Sequence, residues 1–290
     1  MDPMVSSGIE AAAYSQYRIP QTILWAFPAL AAIACAAHAA RRAFRHPRPS
    51  HQREVPNGNQ ETGSQETGSL EAVLLRYTLG QRLFHWTNAI ACLGLLVSGL
   101  AIHSPNSFAY GFSTATWFAW HRFLGILLVL GILYHVLWDL YIRDAGFFMV
   151  IDTVSMKNLK AITMNFLGLR EGYPRHDRYN PFQILAHWAI ALSVMGLVVT
   201  GFILWKPTRT LMPLNVLGLE LEFVFLCRTF HGLFSGILLA LVIGHFYFAV
   251  LIRKNWVLSK AMLTGKVKLN HYLNEHRVRG KLVSLKGSQE

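Results

Sequence analysis

The sequence predicts an all-α membrane protein, a four-helix transmembrane bundle preceded by one extra N-terminal transmembrane helix. Three observations lead there. Of 290 residues, 53% are hydrophobic and only 14% charged, against about 25% charged in a soluble domain. The apolar residues gather into five blocks that reach the ~20 residues a helix needs to cross ~30 Å of hydrocarbon. The charges, with a balance of +12, fall at block ends. That placement orients a bundle in a bilayer, and no recognisable nucleic-acid module accompanies it.

The blocks cover residues 21–40, 83–102, 117–141, 183–205 and 225–251. The first is Ala-rich and is followed by Arg41, Arg42 and Arg45. A signal peptide carries its positive charge before the apolar stretch, so this block reads as a signal-anchor with its N-terminus outside. The next stretch, 46–71, is rich in Pro, Gly, Ser, Gln and Glu and repeats QETGS at 60–64 and 65–69. So polar a composition has little to bury. The expected organisation is a transmembrane anchor at 1–45, a flexible polar cytoplasmic linker at 46–75, a four-helix domain at 76–255 and a basic cytoplasmic tail at 256–290.

Segments 41–82, 142–180 and 252–290 hold 7, 6 and 9 Lys and Arg, which is 22 of 27. The positive-inside rule places these three in the cytoplasm, and Arg18, Arg122, Lys206, Arg209 and Arg228 opposite. All eight Trp lie near predicted helix ends, where indole favours the interface. The predicted location is a bacterial-type inner membrane, with the C-terminus cytoplasmic. Cys35, Cys92 and Cys227 sit inside apolar blocks without a CxxC or CxxCH pairing. A zinc site, a covalently attached haem and a disulfide framework therefore lack support.

Six histidines lie inside the last four apolar blocks: His85, His121, His135, His187, His231 and His245. Intramembrane ionisable residues are costly and usually functional. His231 and His245 are 14 residues apart, within ~40° of four full turns and ~21 Å along the axis. They share one face of the last helix at two depths. His85 opens a helix running outward and so lies at the inner level with His245. His121 opens a helix running back and lies at the outer level with His231. Two such pairs can each ligate a haem iron axially in a bundle core, giving two b haems stacked across the bilayer.

Other arrangements remain open on spacing alone. A proton relay would want carboxylates alongside, yet those at hand, such as Asp139 and Glu222, stand near the block's ends. A zinc or copper site would want three or four ligands at one depth, and the inner level does hold His85, His135, His187 and His245. His135, also 14 residues from His121, competes for the inner iron, completes a third site or, like His187, bonds a propionate or a quinone oxygen. Both are ranked as supporting residues rather than ligands. Arg82, Arg122 and Arg228 lie within three residues of His85, His121 and His231. They are candidate propionate partners, or side chains that snorkel to the interface. The glycines through all four helices suit close packing and a flat porphyrin equally.

Several stretches bear a resemblance. RYTLGQRLFHW (76–86), WHRFLG (120–125), RYNPFQILAHW (178–188), VTGFILWKP (199–207) and TFHGLFSGILLALVIGHFYFAV (229–250) resemble the gamma subunit, cytochrome b, of membrane-bound formate dehydrogenases. They are also similar to b-type cytochromes of nickel-iron hydrogenases and thiosulfate reductases. LTGKVKLNHYLNEH (263–276) resembles the tail of the formate dehydrogenase branch. The resemblance implies a non-catalytic subunit that takes electrons from a molybdenum or tungsten subunit through an iron–sulfur subunit. It would reduce quinone near the inner haem. His85, His121, His231 and His245 fall on the family's haem-ligand positions. Asn180 and Gln183 fall on its quinone-site motif, where Pro181 and Phe182 replace small residues. His135 and His187 stand where the formate dehydrogenase pattern is apolar.

The favoured reading is thus a two-haem relay from a periplasmic formate dehydrogenase to quinone at the cytoplasmic side. Its alternatives are the same relay serving a nickel-iron hydrogenase or another molybdopterin or sulfur oxidoreductase, and a haem-free anchor or transporter.

Overall fold

In a computed structural model, residues 21–44, 73–104, 111–141, 159–164, 179–205 and 220–268 are described. The repeated QETGS linker and the tail beyond 268 lie outside them. Five long helices dominate: α1 (Gln21–Phe44), α2 (Leu79–His103), α3 (Thr114–Tyr141), α4 (Pro181–Leu204) and α5 (Glu220–Phe246). Among the described residues four helices are long and apolar enough to cross a membrane, at Leu79–His103, Thr114–Trp138, Pro181–Leu204 and Glu222–Leu251. The fold is the expected all-α four-helix bundle with an additional N-terminal helix.

The helices begin before the apolar blocks do, because their first turns are capped. Thr78 accepts from the Gln81 backbone N–H while the Gln81 side chain accepts from the Thr78 N–H, at 3.3 and 3.1 Å. Asn180 and Gln183 repeat this reciprocal cap on α4 at 2.8 and 2.9 Å, with Pro181 in the first helical position. Such boxes satisfy N–H groups that a helix otherwise leaves orphaned, and proline has no N–H to lose there.

Helix α2 packs on α3, α4 on α5, and α1 on α5, while backbone contact between the α2–α3 and α4–α5 hairpins is sparse. Within each hairpin a glycine admits the partner. A Cβ on Gly94 would stand 2.6 Å from Leu124, and one on Gly196 2.5 Å from the Phe234 ring. At mid-bundle Ala91, Leu128, Val194 and Leu238, one from each helix, form a buried plug. Outward faces remain apolar, as on α2 with Leu83, Ile90, Leu93 and Val97. That is what a lipid-facing surface requires.

The chain after α5 does not continue as one helix. A π-helical turn (Tyr247–Leu251) and a 3₁₀ turn (Arg253–Asn255) lead into α6 (Trp256–Thr264) and β2 (Lys266–Lys268). This segment folds back on the end of α5. Trp256 Nε1 donates to the Val250 carbonyl at 2.6 Å, and Ser259 Oγ to that of Ala249 at 2.7 Å. Strand β2 pairs antiparallel with β1 (Val73–Leu75) in the register Val73–Lys268 and Leu75–Lys266. Between them Gly265, at φ +83°, accepts from the N–H groups of Arg76 and Tyr77 at 2.7 and 3.1 Å. A Cβ there would lie 2.9 Å from the Tyr77 carbonyl oxygen, so glycine is required by both conformation and space.

Candidate functional site

The two hairpins face one another through histidines. His85 of α2 and His245 of α5 have ring centres 6.2 Å apart with planes at 58°. His121 of α3 and His231 of α5 stand 6.3 Å apart at 64°. The pairs deduced from depth are therefore brought together, and the Ala91–Leu128–Val194–Leu238 plug occupies mid-bundle. A third pair also forms: His135 of α3 and His187 of α4, 6.3 Å apart at 73°. All three pairs bridge one hairpin to the other.

The spacing has a chemical meaning. A metal–imidazole bond is about 2.0–2.1 Å and a ring nitrogen lies about 1.1 Å from the ring centre. Two imidazoles on opposite sides of one metal then have centres roughly 6.2–6.4 Å apart. Among the described residues no group of three or more His, Cys, Asp or Glu could hold an ion. A pair of imidazoles suits an iron whose remaining ligands a porphyrin supplies.

Hydrogen bonding fixes which nitrogen is available. Ser98 Oγ lies 2.7 Å from the Gly94 carbonyl oxygen and 2.8 Å from His121 Nδ1. The hydroxyl has one proton. Donated to the carbonyl, it leaves the oxygen to accept from Nδ1–H, and the lone pair of His121 rests on Nε2. Thr200 repeats this with Gly196 at 2.6 Å and His231 Nδ1 at 2.8 Å. Orienting a ligand imidazole through its other nitrogen is a common device of metal centres.

Room and polar contacts suit haem as well. A Cβ added at Gly125 or Gly244 would meet nothing within 4 Å, leaving clearance beside His121 and His245. Arg82 Nε and Trp117 Nε1 are buried without a hydrogen-bond partner among the described residues. They stand three and four residues before His85 and His121 on α2 and α3. Arg82 also donates from Nη2 to the Leu263 carbonyl, and Trp86 Nε1 donates to that of Met262 at 3.3 Å. Helix α6 thus lies across the mouth beside His85. Arg122 and Arg228 are exposed.

The remaining candidates have structural duties. Asn180 and Gln183 form the α4 cap, which accounts for their types at that spacing. The amide NH₂ groups are their remaining donors. Pro181 is buried, and Phe182 is exposed. His135 stacks on Phe84, centres 4.4 Å apart and planes at 17°.

Ser98 and Thr200 escaped sequence reasoning, although a signal for them exists: the hairpins repeat. RYTLGQRLFHW at 76–86 parallels RYNPFQILAHW at 178–188, and VSG at 97–99 parallels VTG at 199–201, both displaced by 102 residues. In the return helices His121 and His135 parallel His231 and His245, displaced by 110. Also missed was His38 of α1, whose Nδ1 lies 2.6 Å from the Tyr247 hydroxyl, two residues beyond His245.

No curated protein matches the chain. Residues 76–265, from the arginine before the first cap to the glycine after α6, match the prokaryotic cytochrome b561 family. That stretch includes all six bundle histidines and exceeds half of the sequence. The chain therefore belongs to the prokaryotic cytochrome b561 family, and is a multi-pass b-type cytochrome whose work is electron transfer in the membrane.

Proposed function

We propose that the chain is the two-haem membrane subunit of a periplasmic formate dehydrogenase, carrying electrons from an iron–sulfur partner to quinone at the cytoplasmic side. The observation that carries this reading is the pair of histidine couples at opposite ends of the bundle, each at an axial-ligand spacing. Haem iron supplies reversible one-electron exchange without breaking bonds. His121 and His231 would hold it at the outer level, and His85 and His245 at the inner. Ser98 and Thr200 would hold the outer imidazoles in one orientation with Nε2 free to bind, while Trp117 and Arg82 would offer donors to propionates.

Quinone reduction takes two electrons and two protons. With 22 of 27 Lys and Arg in segments assigned to the cytoplasm, the inner pair lies at the face where cytoplasmic protons are at hand. The amide donors of Asn180 and Gln183 would address a quinone oxygen, their carbonyl oxygens being committed to the cap. Oxidation of the donor outside and proton uptake inside makes the reaction electrogenic.

The decisive experiment adds formate to membranes containing the chain with its molybdenum or tungsten subunit and its iron–sulfur subunit. Reduction of the b-type α-band, followed by reoxidation on adding a quinone analogue, is expected. Reduction by hydrogen but not formate would transfer the relay to a hydrogenase. That second reading is favoured by the match to the b561 family at large, which ends at residue 265, before most of the tail that resembles the formate branch. Absence of any haem band in folded protein would leave an anchor or transporter.

A further inference from the structure

The internal repeat makes a prediction about symmetry. Residues of α2 map onto α4 by 102 positions (85 to 187), and residues of α3 onto α5 by 110 (121 to 231, 135 to 245). Both outgoing helices run the same way, so the halves are related by a pseudo-two-fold axis along the bundle. Under that operation His121 and His231 exchange, and their pair maps onto itself. His85 and His245 map onto His187 and His135. The inner pair therefore has a symmetry mate, and it is the third couple.

We propose that His135 and His187 hold a third haem b, in the α3–α4 gap at the same end of the bundle as His85 and His245. This rests on the haem reading of the other two pairs. Ring separation is 6.3 Å, against 6.2 and 6.3 Å in the others. Local surroundings repeat too: His85 meets Trp86 edge-on at 83°, and His187 meets Trp188 edge-on at 81°. Coordination chemistry selects a porphyrin over a bare ion, since two imidazoles alone leave a four-coordinate ion short of donors. No third His, Cys, Asp or Glu joins them among the described residues.

The two sites at this end have the same type of ligand pair but differ in their walls. Phe84 lies face to face with His135, while Ala186 occupies the equivalent place in the other half. Burial and contacts around an axial ligand tune its iron, so the two haems should titrate at different potentials.

The test is a haem count on the full chain, purified after expression with added haem precursor. A pyridine haemochrome assay is referred to protein by amino-acid analysis, and an optical redox titration accompanies it. Wild type should carry three haems per chain. His187→Leu and His135→Leu should each carry two, lacking one and the same redox component, distinct from the one missing in His85→Leu. Two haems in wild type and the same two in His187→Leu would overturn the third site and leave the relay standing. No haem in folded wild type would remove the relay and this site together. The wild-type count decides even if a variant fails to fold.

Discussion

Ser98 and Thr200 place one hydroxyl oxygen each against the imidazoles of His121 and His231, and on the proposed haem reading this has a measurable consequence. Accepting from Nδ1–H makes the imidazole a stronger donor through Nε2, which favours ferric iron. Thr200→Val keeps the shape and removes the acceptor. It should raise the midpoint potential of the His121/His231 haem and loosen its retention by roughly 10–100-fold, read by redox titration and by haem loss to apomyoglobin. His231→Ala goes further and should remove one b haem per chain while leaving the haem between His85 and His245 in place. Equal haem content in His231→Ala and wild type would break the pairing. At this scale the sequence was partly legible. Depth and helical phase named the four histidines whose rings the structure brings into pairs. The hydroxyls were not legible, because a Ser or Thr in an apolar helix usually bonds back to its own i−4 carbonyl. Both do so here while also accepting from a histidine.

At the scale of the element, hydropathy located each span, and the four bundle helices begin a little before their apolar blocks. Helices expected from residues 83, 117, 183 and 225 begin at Leu79, Thr114, Pro181 and Glu220. For α2 and α4 the missing turn was written as T-x-x-Q and N-x-x-Q, a capping signal that an apolar window ignores. The β1–β2 ladder was illegible, since three-residue strands, VLL and KVK, are too short to show a periodic pattern. Close approach of helices gives a further expectation. Gly196→Ala drives a Cβ into the Phe234 ring, with three ring atoms within 2.7 Å, and should cost about 1–3 kcal/mol by overpacking. Gly94→Ala meets the mobile end of Leu124 and should cost less. Thermal unfolding in detergent would order the two, and equal effects would mean that the α4–α5 contact yields as easily as its counterpart.

For the whole molecule, charge distribution and the bundle make a joint prediction about orientation. Alkaline phosphatase fused after residue 205 should be active, and fused after residue 141 inactive, if Lys and Arg mark the cytoplasmic face. The reverse pattern would put quinone reduction outside and remove the electrogenic reading. The fold class was legible because a bilayer imposes strict lengths and compositions. The pairing of the hairpins was less so. It depends on a repeat diluted by substitutions, such as Leu124 against Phe234, that leave the contact in place and erase the identity.

That each histidine couple joins one hairpin to the other bears on assembly. Every hairpin can close on its own glycine contact as soon as its second helix has entered the membrane, but no couple exists until both are in place. If the couples hold iron porphyrin as proposed, it would clasp two halves whose direct backbone contact is sparse, and cofactor binding would become folding energy. A cell starved of haem should accumulate not a colourless bundle but two loosely tethered hairpins. Limited proteolysis should cut between residues 141 and 181 in that material and spare the haem-loaded form, so that haem supply controls how much of the protein survives.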